Sequence, residues 1–294
     1  MCKPLVTVFT PAYNRSSTLR RLWKSLKKQS SFDFEWLIVN DGSTDNTEEI
    51  IKELINDTTE FNVRYYSKEN GGKHRAINYA LPLAQGELFF IVDSDDWLPE
   101  NSISDITYYY NSIEDKTKFA GVAGCKYLSN GELSGKTFEG EFIDATALQR
   151  NELGIIGEKS EVFITSVLRK YPFPDFLNEK FISEAVVWNK IAFDGYKMRW
   201  FNKNVYFYEY QEDGLTNNLR KNYRNNPMGY MTYIRQEMEF FKPSFAKKLL
   251  WCGKCINTVD LTQINKIDIC KMLNISSSFF ALSNMFYKLY SKIR

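Results

Sequence analysis

The stretch that most constrains this chain runs from Leu88 to Trp97 and reads Leu-Phe-Phe-Ile-Val-Asp-Ser-Asp-Asp-Trp. Five apolar residues in a row, four of them aromatic or β-branched, suit a central parallel strand covered on both faces, although a short buried helix has the same periodicity. Three carboxylates, Asp93, Asp95 and Asp96, stand where that strand would leave the core. Alternation along an extended chain places Asp93 and Asp95 on one side and Asp96 on the other, so the first two can converge on one cation. Hard oxygen ligands of this kind suit Mg2+ or Mn2+ carrying a phosphate-bearing substrate. A solvated acidic turn capping a helix that begins near Pro99 would use the same residues. The neighbouring stretches have to separate the two readings.

At 294 residues, with 44% hydrophobic and 16% aromatic residues, the chain has material for one large domain, or for a catalytic domain with a smaller appendage. Its net charge of +2 is unevenly spread. Lys242 to Arg294 holds nine Lys and Arg against two Asp and no Glu, a charge of +7, which leaves −5 on residues 1–241. That balance argues against a nucleic-acid-binding body and for a basic appendage. The five cysteines are an odd number, in a chain too long to need disulfide staples. Cys252-x-x-Cys255 has zinc-knuckle spacing, yet no second pair follows and the one histidine, His74, is distant, so no metal site is expected there. Met1-Cys2-Lys3-Pro4 leads straight into a strand-like run without a cleavage site, and no apolar stretch approaches the roughly 18 residues of a spanning helix. A reducing cytoplasm is the expected location.

Taken in order, Leu5 to Phe9 is a strand-like run that ends in the breaker-rich Thr10-Pro11-Ala12-Tyr13-Asn14, and Leu19, Leu22, Trp23 and Leu26 follow at helical spacing. Glu35 to Val39 is a second strand ending in Asn40-Asp41-Gly42-Ser43, before a helix through Ile50, Ile51, Leu54 and Ile55. Val63 to Tyr66 is a third, followed by Asn70-Gly71-Gly72-Lys73 and a helix through Ala76, Ile77, Ala80 and Leu81. With Leu88 to Val92 as the fourth strand, the alternation describes a parallel α/β sheet with right-handed crossovers. In such sheets ligands bind beyond the carboxyl ends of the strands, where Tyr13, Asp41, Asn70 to Gly72 and Asp93 to Asp95 all fall. Asp41 could be a turn former or a carboxylate accepting from the N–H of a pyrimidine base. Gly71-Gly72 lets backbone N–H groups approach an anion, with Lys73 and Arg75 to neutralise it, and His74 in this turn fits phosphate contact.

The series Thr7-Val8-Phe9-Thr10-Pro11-Ala12-Tyr13-Asn14, Leu37 to Thr47 with its Asn-Asp-Gly-Ser, Asn70-Gly71-Gly72-Lys73-x-x-Ala76-x-Asn78 and Val92-Asp93-Ser94-Asp95-Asp96 resembles family 2 inverting glycosyltransferases of the GT-A fold, of the type that builds bacterial surface polysaccharides. The resemblance covers roughly residues 5–100. It implies a mostly parallel central sheet with flanking helices and a nucleotide-diphospho-sugar donor. Pro11, Tyr13 and Asp41 would surround the base, and Asp93 and Asp95 would meet the ribose, the diphosphate and Mn2+ or Mg2+. Asn70, Gly72, Lys73 and Arg75 would complete the donor site, although positions in that loop vary in role within the family. An acidic residue opening a helix after a Pro-containing segment serves in the family as the base. That position falls to Glu184, where many members have Glu-Asp and this chain has Glu184-Ala185, with Glu179 next in line.

Further on, a helix is expected at Ser104 to Ser112 and strands at Phe119 to Tyr127, Glu139 to Ile143, Glu161 to Leu168 and Val205 to Tyr208. Tyr208-Glu209-Tyr210 and Asp213-Gly214-Leu215-Thr216 resemble the loop that closes over donor and acceptor in related enzymes. Residues 1–220 would form the catalytic domain, 1–100 for the donor and 101–220 for the acceptor, and 221–294 a helical C-terminal region. Its last helix carries Phe279, Leu282, Phe286, Leu289 and Ile293 in steps of three and four, with Lys288, Lys292 and Arg294 expected on the other side. Such a helix binds a membrane surface, a second subunit or the catalytic domain. The expected activity is transfer of a hexose-type sugar from a UDP-sugar to a hydroxyl of a glycan or lipid-linked acceptor. Its rivals are a non-catalytic sugar-nucleotide-binding or scaffolding protein, a nucleotidyltransferase, and a Mg2+-dependent phosphohydrolase of the haloacid dehalogenase type.

Overall fold

In the computed structural model, which describes residues 3–210, 218–259 and 264–293, the first hundred residues alternate strand and helix. The elements are β1 (Val6–Ala12), α1 (Leu19–Leu26), β2 (Phe34–Asn40), α2 (Thr47–Asn56), β3 (Asn62–Ser67), α3 (Lys73–Ala80) and β4 (Leu88–Ile91). The strands lie in the order β3-β2-β1-β4 and all pair in parallel. Every residue of β2 is buried, as befits a strand covered on both faces, whereas β3 at the sheet's edge is half exposed. Leu19, Leu22 and Leu26 turn one face of α1 into the core. Glu35, the second residue of β2, is fully buried and tolerated because it accepts from the Thr7 hydroxyl (2.7 Å), the Gln85 N–H (2.7 Å) and Arg64 (3.1 Å).

The chain continues through α4 (Ser102–Asn111), β5 (Phe119–Leu128), β6 (Phe142–Ala145), β7 (Lys159–Ile164), α5 (Thr165–Leu168), α6 (Ala185–Phe193) and β8 (Lys197–Tyr208). The complete sheet runs β3-β2-β1-β4-β7-β5-β8-β6, with β7 antiparallel to both neighbours and β6 antiparallel to β8. Three expectations change here. The strand expected over Glu161 to Leu168 stops at Ile164, because Thr165 is tied to the chain ahead of β4 through its N–H to Glu87 O (2.8 Å) and its hydroxyl to Gly86 O (2.8 Å), and a single helical turn follows. The strand expected over Glu139 to Ile143 lies later, at Phe142–Ala145. The last strand begins at Lys197 and not at Val205. Near its start lies a buried Arg199 that is held bidentately by Asp144 (2.9 and 2.7 Å) and by the Ser112 hydroxyl (2.7 Å).

Helices α7 (Leu219–Asn225), α8 (Pro227–Phe240), α9 (Phe245–Thr258), α10 (Lys266–Leu273) and α11 (Ser277–Ile293) follow. Chain contacts divide the molecule into two units, one of residues up to Pro172 with Ile191–Glu209, the other of Phe173–Lys190 with Tyr210 onward. The core of the second unit is built from Tyr230, Met231, Ile234, Ile256, Ile269 and Leu273, together with Cys252 and Cys255, whose thiols are fully buried. Each such aliphatic side chain contributes about 1.5–3 kcal/mol on leaving water. Helices α9 and α11 approach so closely that a Cβ added at Gly253 would sit 2.3 Å from the Ser283 carbonyl oxygen. No helix among the described residues is long and apolar enough to cross a membrane.

Candidate active site

Four loops leave the carboxyl ends of β1 to β4, and side chains lace them into a ring. The first and second loops meet where the Asn14 N–H donates to the Ser43 hydroxyl (2.9 Å), the Thr44 N–H to Asn14 Oδ1 (2.8 Å) and the Arg15 N–H to the Thr47 hydroxyl (2.8 Å). Asp41 joins the second loop to the third. Its carboxylate, 3% exposed, accepts from Lys68 Nζ (2.6 Å) and the Gly71 N–H (2.9 Å) on one oxygen, and from the Gly72 N–H (2.7 Å) and Asn70 Nδ2 (3.3 Å) on the other. A carboxylate has about four acceptor positions, and here each is used. Gly72 holds φ at 92°, a conformation that side chains resist, and so lets the turn bring both N–H groups onto one acceptor.

Lys73, the first residue of α3, places Nζ 2.6 Å from Asp93 and connects the third loop to the fourth, and Arg15 closes the ring with Nε 3.6 Å from Asp95. The fourth loop is a turn and not extended chain. β4 ends at Ile91, and the Asp96 N–H donates to Asp93 O (3.1 Å). Asp96 is buried against Tyr206 of β8, whose hydroxyl donates to Asp96 (2.8 Å) and accepts the Asp93 N–H (2.9 Å). None of the three caps a helix, since α4 starts at Ser102 after Asn101.

The electrostatics follow from this placement. Burial raises the Asp93 carboxyl's affinity for protons, but Lys73, Lys126 and Arg15 outweigh it and hold the group below the ordinary aspartate range. Asp95 is raised by burial and then by Asp93, against Arg15. Asp96 is pushed up to about 7, by burial first and next by Asp93. Asp93 and Asp95 present hard oxygen donors partly open to solvent, and the repulsion by which Asp93 raises Asp95 is one that a divalent cation would relieve, so the pair fits such an ion. Among the described residues no set of three Asp, Glu, His or Cys is placed to hold a metal, so the donors beyond these two would come from substrate and water.

The remaining expected residues divide. Pro11 is half buried in β1, past its last pairing with β4, and Tyr13 beyond it is 46% exposed. Arg75 folds back to donate to Gly71 O (3.0 Å), and His74 is buried, not turned to an anion. Glu184 belongs to the second unit and opens α6, its carbonyl accepting from the N–H groups of Val187 and Trp188 (both 3.0 Å). Glu179 is buried, and its carboxylate accepts from the N–H groups of Met228 (2.7 Å) and Gly229 (2.8 Å) at the start of α8. Glu209 is paired with Arg21 (2.6 Å), which lies 4.1 Å over the Trp97 ring and donates to Asp95 O. Asp213 to Thr216 lie outside the described residues. Arg15, Arg21, Lys68, Lys126 and Tyr206 were not expected. Only Arg15 carried a signal, standing next to the Tyr13-Asn14 turn.

Residues 7–153, half of the chain, match the model of glycosyl transferase family 2. The chain belongs to that family. It is 37% identical over 127 residues to the chondroitin synthase of Pasteurella multocida, a match that takes in 43% of this chain and 12% of the synthase. The chain thus spans only about an eighth of that relative's length. Over 257 residues it is 29% identical to the GalNAc(5)-diNAcBac-PP-undecaprenol beta-1,3-glucosyltransferase of Campylobacter jejuni, covering 83% of this chain and 79% of that one. Among solved structures, TarS 1–349 of S. aureus in complex with UDP-GlcNAc superposes with a TM-score of 0.65 at 17% identity, over 98% of this chain and 92% of that one. The shared architecture is the GT-A fold, with its helical C-terminal region present here.

Proposed function

We propose that this family 2 transferase moves a hexose from a UDP-sugar to a hydroxyl of a glycan or lipid-linked acceptor, with inversion at the anomeric carbon, in building a surface polysaccharide. The observation that carries the reading is the closed ring of contacts that puts Asp41, the Asn70 to Lys73 turn, Asp93, Asp95 and Arg15 at one end of β1 to β4. The UDP-GlcNAc held by the structural neighbour and the undecaprenol-linked substrate in the relative's name support the donor and acceptor classes.

In this reading Pro11 and Tyr13 flank the base. A base N–H reaches Asp41 only by replacing one of its present donors, and Asn70 at 3.3 Å is the one held most weakly. Lys73 and Arg15 exchange their carboxylates for diphosphate oxygens as the donor arrives. Asp93 and Asp95 would hold Mn2+ or Mg2+, which when bound offsets the negative charge growing on the departing UDP. Glu184 takes the acceptor's proton as its oxygen attacks.

A panel of UDP-, GDP- and dTDP-sugars with Mn2+, screened by thermal shift, tests the donor class, because a bound ligand raises stability by mass action. A UDP-sugar should give the largest rise, and a larger one from a GDP- or dTDP-sugar contradicts the reading. Glu184→Gln should lower turnover on the order of 100-fold or more while the donor-induced shift persists. Ordinary turnover in that variant removes Glu184 from the mechanism.

A further inference from the structure

We propose that the outer face of α10 and α11 is a docking surface for an anionic phospholipid bilayer. Between the start of α10 and the outer side of α11 lies an open groove of about 410 Å3, whose lining includes Phe280, Met285 and Leu289 together with Lys266, Lys288 and Lys292. Lys288 and Lys292 were expected opposite the apolar stripe of the last helix, and the structure places them beside its outward part. Phe279 and Phe280 pack inward against the helical core, while Leu282, Met285 and Leu289 stand 38%, 56% and 56% exposed, and Ile267 on α10 is 78% exposed.

Charge complementarity names the occupant. Among the described residues none of the three lysines is paired with a carboxylate, and the stretch from Lys242 onward carries a charge of +7. Apolar residues flanked by ammonium groups without a carboxylate partner match an interface with anionic headgroups above acyl chains, where lysine stems reach up to phosphate while Met285 and Leu289 enter the boundary. A second copy of this same face would bring like charges together, which disfavours self-association here. Helix α11, 17 residues and so about 25 Å long, would lie along the surface and not cross it. The inference stands apart from the transfer reaction, because binding is read without donor or acceptor.

The test is co-sedimentation of the full chain with phosphatidylcholine vesicles, with and without phosphatidylglycerol. Binding is expected only with the anionic lipid and should weaken as salt rises. Lys288→Gln and Lys292→Gln should each reduce partitioning roughly fivefold. Met285→Ser with Leu289→Ser should also release the protein, with every lysine retained. These side chains are exposed, so circular dichroism should show each variant folded as the parent is. Absence of binding to anionic vesicles overturns the proposal. So does binding that the serine variant leaves unchanged, or a concentration-dependent dimer that this variant dissolves.

Discussion

Lys73 and Asp93 form an ion pair that is partly open to water, 23% and 33% exposed, so it contributes about 1 kcal/mol or less to folding. Its larger effect is on the site. Lys73→Met should leave urea unfolding nearly unchanged and raise Mn2+ affinity in the absence of nucleotide several-fold, because Asp93 loses its competing cation, while transfer slows for want of a phosphate partner. Titration calorimetry with Mn2+ alone reads the first effect, and an unchanged or weaker affinity would show that Asp93 is no ligand. The acidic turn and the Asn70 to Lys73 turn were legible because each is local, a few residues of distinctive chemistry at a strand end. Tyr206 was not. Its hydroxyl meets Asp93 and Asp96 from 113 and 110 residues away, and nothing in a Val-Tyr-Phe-Tyr run distinguishes a tyrosine that supports an acidic turn from one that fills the core.

At the scale of the element, helix α8 begins in a clasp. Glu179 accepts two N–H groups of its first turn, and Asn226 just ahead of it accepts the N–H groups of Lys180 (2.7 Å) and Phe181 (3.1 Å). Charge at a helix start together with two buried donors makes Glu179→Ala cost about 3 kcal/mol, and Glu179→Gln, which keeps one acceptor oxygen, about half of that. Chemical denaturation of the two variants checks the order, and a loss below about 0.5 kcal/mol in Glu179→Ala would show that the clasp does not hold the helix. Sequence spacing gave no sign of this clasp, since Glu179 and Glu184 both precede a helix and the donors that Glu179 meets lie about 50 residues later. β1 to β4 were readable from apolar runs between breakers. Most of β8 was not, because Arg199, Asn202, Lys203 and Asn204 interrupt the alternation, and Arg199 is accommodated by a partner, Asp144, 55 residues earlier.

For the whole molecule, the deep tyrosines predict how it fails in alkali. Burial, and then Glu141, pushes Tyr109 up to about 12; burial also holds Tyr206 and Tyr230 well above the ordinary range. Unfolded, each would ionise near about 10. A raised folded value favours folding fully below pH of about 10, and that contribution is lost as pH rises from there through the folded values. Ultraviolet titration should show one group of the 18 tyrosines ionising reversibly, and the rest only in a cooperative step together with loss of far-ultraviolet ellipticity. Smooth ionisation of all of them with helices intact would contradict the burial. The ring of loops has a quieter consequence under the proposed reaction. Asp93 rests on Lys73 and Asp95 on Arg15, so in that reaction loading is a change of partners and not the filling of a raw, repelling hole. When spent UDP departs, the same side chains fall back on one another, and the rim is restored without waiting for the next guest.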